Sequence, residues 1–326
     1  MTLIPWEQAW QQALYGDGGF YRRRVPARHF ATATHPPLGP VLAEAVWRCA
    51  DLLELSGVVD IGAGRGELIH ALHRHRPDRP LTGVDVVTRP HGLPDGVGWL
   101  QGPGGAPLPD ELTGLRDVLV IAHEWLDVVP CTVAQLDDDG VARVVLVDPQ
   151  TGIEALGDPL VECDHEWQQR YWPLAAPGDR VEIGLSRDRA WADLLARISH
   201  GSAIAIDDGH VLLDRPHGGT LAAYRAGEPV RAVPDGSCDL SARVAMDSLY
   251  HDEIHTQTAA FEWFGVRSTV PDLRAARCDE ADHRRRVERS GAVATLTDPA
   301  GFGAFRWVIV RQPRASAPPQ PRGGQG

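Results

Sequence analysis

Seven residues, Asp60-Ile61-Gly62-Ala63-Gly64-Arg65-Gly66, constrain the fold of this chain more than any other stretch. An apolar run from Gly57 leads into them, and helical spacing of Leu68, Ile69, Ala71 and Leu72 leads out. Three glycines between a strand and a helix let the backbone come close to a ligand where any side chain would collide. Further strands are expected at Leu81 to Val87, Val97 to Gln101, Asp117 to Ala122, Ser202 to Asp207 and Phe305 to Val310. Strands alternating with helices imply an α/β, Rossmann-like, doubly wound sheet.

Residues 1–39, with Gly16, Gly18, Gly19, the basic run Arg22 to Arg24 and a THPPLGP segment, read as an N-terminal arm with little regular structure. The core domain is expected over 40–311, opening with an amphipathic helix from Val41 to Leu55 behind Pro40. Two insertions interrupt it. One, at about 131–180, begins with an alternating segment from Cys131 to Val147 around Asp139-Gly140, a hairpin signal. The other, at about 209–255, is rich in glycine, proline and histidine up to Asp239 and reads as a long loop region. Helices are expected at Asp188 to Ile198, Leu240 to Leu249 and Thr256 to Phe264, and a low-complexity, disordered tail at 312–326.

A net charge of −12 disfavours nucleic acid as a partner, because binding to phosphate backbones draws on many basic contacts. It favours a basic partner instead. The cysteines Cys49, Cys131, Cys163, Cys238 and Cys278 are scattered and odd in number, which fits a reducing, cytoplasmic setting without disulfides or a zinc knuckle. Neither a basic flank with an apolar run at the N-terminus nor a spanning apolar stretch is encoded, so no membrane association is expected.

The dinucleotide fingerprint would require glycine at 67, which is Glu67, and an NAD site usually has an apolar residue where Asp60 stands. Both details favour S-adenosylmethionine (AdoMet), whose cationic amino-acid end Asp60 can serve, with Gly62, Gly64 and Gly66 cradling the nucleoside. Asp85, at the end of the second strand, is placed to accept hydrogen bonds from ribose hydroxyls and suits either cofactor. After the fourth strand, His123-Glu124-Trp125-Leu126-Asp127 emerges at the carboxyl edge, where Glu124 and Asp127 are the candidate catalytic residues for holding a cationic acceptor. The segment lacks the second histidine of H-E-x-x-H, and His70, His73 and His75 read as a solvated helix face, so no metal is expected.

In combination these motifs resemble the MidA family of AdoMet-dependent methyltransferases, over roughly residues 16–265. VVDIGAGRGEL resembles the family's E-x-G-x-G-x-G-x-L turn, and AHEWLDVVP its A-N-E-F-F-D-A-L-P segment, with Glu124, Asp127 and Pro130 retained. AIDDGH, GGTLAAYR, DLSARVAMDSL and TQTAAFEWFGV resemble further segments of the family and supply Asp207, Tyr224, Asp239, Asp247, Gln257 and Gly265. The resemblance implies a class I methyltransferase core with a mostly parallel seven-stranded sheet, and a protein substrate methylated on arginine. Departures fall on the substrate side: His29-Phe30-Ala31-Thr32-Ala33 stands where the family has D-F-x-T-S or D-F-x-T-A, His123 replaces its asparagine, and Asp208 and Arg243 replace a tyrosine and a histidine. That drift leaves a second expectation open, a noncatalytic AdoMet-binding assembly factor that docks a partner protein.

Overall fold

The computed structural model describes residues 2–23, 32–269 and 280–311. Arg24, His29, Phe30, Ala31, Cys278 and the expected tail at 312–326 lie outside the described residues. The main sheet is built from β1 (Gly57–Ile61), β2 (Leu81–Asp85), β3 (Gly98–Gln101), β4 (Leu115–His123), β5 (Ile198–Asp207), β6 (Glu253–Thr256) and β7 (Arg306–Arg311). Their order across the sheet is β6-β7-β5-β4-β1-β2-β3. The pairs from β5 to β3 are parallel, whereas β7 runs antiparallel to both β5 and β6, so the sheet is mixed. From β1 the chain builds outward to β3, then returns to add β4 and β5 on the other side. That reversal opens a crevice at the carboxyl ends of β1 and β4.

Alternation along each strand assigns side chains to two buried layers. Val58, Leu119, Ile121 and Ile204 pack against α2 (Gly39–Leu52), α3 (Glu67–His75), α5 (Gln257–Trp263) and α6 (Glu280–Leu296). Val59, Ile61, Val120 and Ala122 pack on the other face, against α4 (Leu185–Ala196). Thr256 caps α5, its hydroxyl accepting from Ala259 N. Among the described residues no helix is long and apolar enough to cross a membrane.

The expected hairpin is present: Thr132–Leu136 and Ala142–Val147 pair antiparallel across Asp139-Gly140. Three other expectations are corrected. Within the expected arm at 1–39, the described residues 2–23 are not poor in regular structure, because α1 (Trp6–Tyr15) buries Trp6, Ala9, Trp10, Ala13 and Leu14, spaced as one helical face, against Val133, Val145 and Val147 of the hairpin. The 209–239 region is not a plain loop, since Ala222–Arg225, Glu228–Val230 and Asp239–Ser241 form a three-stranded sheet. Leu240 to Leu249 is not helical either. Leu240, Ala242, Val244 and Met246 are all buried at a spacing of two, and strand pairs join Leu240 to Ala223 and Val244 to Gly209.

Trp10 ties α1 to the rest of the molecule. It is fully buried, its Nε1 donates to the Leu240 carbonyl at 3.1 Å, and the Arg187 guanidinium lies over its ring. Trp10→Ala is expected to lower stability by about 3–5 kcal/mol, measured by chemical denaturation, through a cavity that the surrounding strands cannot close. A loss below about 1 kcal/mol would show that α1 is not part of the cooperative fold.

Candidate active site

Ile61 at the end of β1 pairs with Ala122 near the end of β4, so the glycine turn and the His123-Glu124 segment leave the sheet side by side. Gly62 and Gly66 have φ of +74° and +82°, in the left-handed region that glycine adopts without strain. A Cβ at Gly66 would lie 2.7 Å from Leu93 Cδ2, and one at Gly62 would lie 3.3 Å from Trp125 Cβ. Gly66 also sits at the start of α3, whose first backbone N–H groups lack helical partners and favour a carboxylate or phosphate.

In front of this turn lies a cleft of about 1090 Å³, solvent at its mouth included. Asp60, Gly62, Gly64, Asp85 and Glu124 all line it, as do Tyr15, Tyr21, Thr32 and His123. Asp85 ends β2 and accepts from Gly64 N at 2.8 Å and from Val87 N at 3.1 Å, which fixes its carboxylate at the rim of the turn. Burial pushes Asp85 up to about 6, against the pull of these backbone donors. Burial, with Asp85 and Glu67 nearby, raises Asp60 well above the usual carboxylate range. A cationic ligand relieves both.

Glu124 carries the strongest local signature of the site. It is a non-glycine residue at φ +51°, a conformation that costs of order 1 kcal/mol or more and that clusters at functional positions. Its Oε2 accepts from Thr32 Oγ1 at 2.6 Å and lies 3.4 Å from His123 Nδ1. Burial pushes Glu124 up to about 8, with Asp127, Asp239 and Asp208 adding repulsion. Burial brings His123 down to about 4, so its ring is neutral at pH 7.

Asp127 is not among the residues lining the cleft. Its carbonyl is held by Arg187 Nη2 at 2.9 Å and by Ala242 N at 3.0 Å, and its carboxyl turns inward to Asp207. The Oδ1 atoms of Asp127 and Asp207 are buried without a hydrogen-bond partner among the described residues, and burial raises both carboxyls. Asp207 is accordingly raised by burial and by the Asp127 charge, while its Oδ2 accepts from Leu126 N at 3.0 Å. Asp127 therefore acts on the cleft through its charge and by shaping the loop.

Sequence reasoning missed Thr32, Tyr15 and Tyr21 as site residues. Thr32 had a signal in the HFATA element, but the two tyrosines had none: Tyr15 ends an apolar helical face and Tyr21 follows a glycine-rich turn, and neither setting marks a binding position.

These carboxyls make stability depend on pH with a definite sign. Where a folded pKa lies above the unfolded one, the folded state binds the extra proton between the two values and stability falls as pH rises through that window. Glu124 at about 8, Asp239 at about 7 and the raised Asp60 and Asp207 all act this way. His123 and His210, lowered to about 4 and about 3, oppose them only below their unfolded value near 6.5. The ligand-free protein is therefore expected to lose thermal stability between about pH 6.5 and 8, by about 1.4 kcal/mol per pH unit for each proton held in excess. Calorimetric scans across that range check this, and a flat or rising midpoint contradicts it.

The switch-point crevice, the bare glycine turn and the two carboxylates at strand ends define an α/β protein that binds a nucleoside cofactor. The family model described as "Putative S-adenosyl-L-methionine-dependent methyltransferase" matches residues 89–265, more than half of the chain. The chain belongs to that family, and it is an AdoMet-dependent methyltransferase. Among solved structures, a protein from Burkholderia thailandensis bound to S-adenosyl-homocysteine is 21% identical, with a TM-score of 0.72, covering 97% of this chain and 89% of that one. A native crystal structure from the same organism is likewise 21% identical at a TM-score of 0.72, covering 97% and 88% of the two chains. At this identity the likeness speaks for the fold. No curated protein matches the chain.

Proposed function

We propose that this methyltransferase acts as a MidA-type enzyme on the guanidinium group of an arginine in a partner protein. The observation that carries the reading is Glu124, a partly buried carboxylate in a strained backbone conformation, oriented by Thr32 in the same cleft as the glycine turn. The residues present fit AdoMet. The turn has no room for side chains at Gly62 and Gly66, Asp60 offers a buried carboxylate for an ammonium, and Asp85 stands at the strand end where ribose hydroxyls are met. The S-adenosyl-homocysteine bound by the Burkholderia protein supports the choice of cofactor. Bound there, AdoMet supplies an electrophilic methyl group on a sulfonium.

The chain's own task is then to align a nitrogen with that methyl and to exclude water. Glu124 receives the guanidinium and draws its positive charge toward the carboxylate, leaving electron density on the attacking nitrogen. Thr32 fixes the carboxylate's rotamer. The acidic surroundings, Asp127, Asp207 and Asp239, favour a cation over a neutral or anionic acceptor, in keeping with the net charge of −12.

The test uses the full chain, methyl-labelled AdoMet and protein extract, followed by hydrolysis and chromatography of the labelled protein. Label recovered as methylarginine supports the reading. Label in another amino acid, or in a small molecule, overturns it.

A further inference from the structure

Two aromatic rings that no sequence motif marked stand at the inner wall of the cleft. Tyr15 closes α1, and Tyr21 lies on the short helix Phe20–Arg23 that follows. Their ring centroids are 5.6 Å apart with planes inclined by 36°. Both hydroxyls are tied down away from the ring faces: Tyr15 Oη donates to the Val128 carbonyl at 3.2 Å, and Tyr21 Oη donates to Asp239 Oδ1 at 2.7 Å. With their tips anchored, both rings line the same cleft as Glu124. A Cβ at Gly104, which also lines the cleft, would collide with the Tyr15 ring, so the loop after β3 needs glycine there.

We propose that the recess between Tyr21, Tyr15 and the Glu124 carboxylate holds the cationic side chain of the methyl acceptor, with the tyrosine rings as its specificity-determining walls. An aromatic face attracts a cation through the negative side of its quadrupole, and a carboxylate at the end of the recess adds direct charge. The combination selects against neutral and anionic groups of equal shape, because only a cation recovers the hydration that partly buried Glu124 gives up. It also prefers a flat, weakly hydrated guanidinium, which can lie along a ring and hydrogen-bond Glu124 at its edge, over a compact ammonium. Burial and the Asp239 charge hold both phenols well above their ordinary range, so the rings stay neutral and take no proton part. Among the described residues lining the cleft, Arg65 on the glycine turn is the only arginine or lysine. Its charge lies toward Asp85.

The proposal rests on the guanidinium reading of the methyl acceptor, and its test separates the two. Full-length protein saturated with S-adenosyl-homocysteine, which fills the nucleoside half of the cleft, is titrated calorimetrically with methylguanidine and with methylurea, its neutral isostere. Methylguanidine is expected to bind at least about tenfold more tightly than methylurea. Tyr21→Leu should weaken methylguanidine by about tenfold, Tyr21→Phe by no more than about threefold, and both should keep S-adenosyl-homocysteine affinity within about threefold. Equal binding of the two probes, no binding of methylguanidine, or indifference to Tyr21→Leu overturns the recess. The probe comparison needs no variant, so a Tyr21→Leu protein that fails to fold leaves the proposal falsifiable. If the wild type labels arginine while Tyr21→Leu is without effect on methylguanidine, the recess falls and the arginine reading stands. If the probes behave as expected but label appears on another residue, the arginine reading falls instead.

Discussion

Glu124→Gln is expected to lower turnover of the methyl acceptor by roughly 10²–10³-fold while leaving AdoMet affinity within about threefold. The amide has the shape of the carboxylate, and its oxygen can still accept from Thr32 Oγ1, so the local geometry should survive. What disappears is the negative charge that localises the acceptor's positive charge away from the attacking nitrogen. Because Glu124 is pushed up to about 8 in the free protein, kcat/KM for a cationic acceptor should rise with pH and level off above that value. Glu124→Gln should abolish that rise. Single-turnover kinetics and calorimetric AdoMet binding, measured side by side from pH 6.5 to 9, separate the charge from the scaffold. Unchanged turnover removes Glu124 from the chemistry, whereas loss of AdoMet binding together with turnover assigns it a structural role.

Gly62→Val should weaken AdoMet binding by more than roughly 100-fold. A β-branched residue at φ +74° is strained by about 1–3 kcal/mol, and its Cβ would already lie 3.3 Å from Trp125 before the methyl groups are added. Either the turn shifts, and the cradle for the nucleoside is lost, or the side chain fills the space the ligand needs. Each 1.4 kcal/mol is a factor of ten in affinity, so the two effects together reach the stated range. Asp85→Ala provides the milder comparison, about 10- to 100-fold, because it removes charge-assisted hydrogen bonds and leaves the backbone path in place. Calorimetry with AdoMet, next to circular dichroism to verify the fold, reads both. Tight binding by Gly62→Val would show that the nucleoside does not sit against this turn.

That the glycine turn and Asp85 meet in one cleft could be read from the chain because these parts are local. Asp60, Gly62, Gly64 and Gly66 lie within seven residues, and Asp85 follows at the end of the next strand, where parallel β1–β2 pairing brings it back to Gly64 N. Glu124 was legible for a similar reason, as the first polar positions after a buried apolar strand emerge at the carboxyl edge. The side of the cleft formed by Thr32 and the tyrosines was mostly illegible. Thr32 reaches Glu124 across 92 positions of sequence and Tyr21 reaches Asp239 across 218. No spacing rule connects such residues. The error at Leu240 to Leu249 has a different cause: a short apolar segment satisfies a period of two and a helical period alike, and edge pairing with Ala223 and Gly209 decides between them.

By itself, the sequence determined the α/β alternation, the glycine turn that excludes side chains, and the acidic residues at two strand ends, because steric exclusion and hydrophobic periodicity act over a few neighbouring residues. Tertiary structure alone decided that Asp127 faces Asp207 and not the cleft, and that α1 and the short helix after it bring Tyr15 and Tyr21 to the cleft wall. Those outcomes depend on how layers pack, since burial of Trp10 and its partners fixes where α1 lies and so which distant side chains meet.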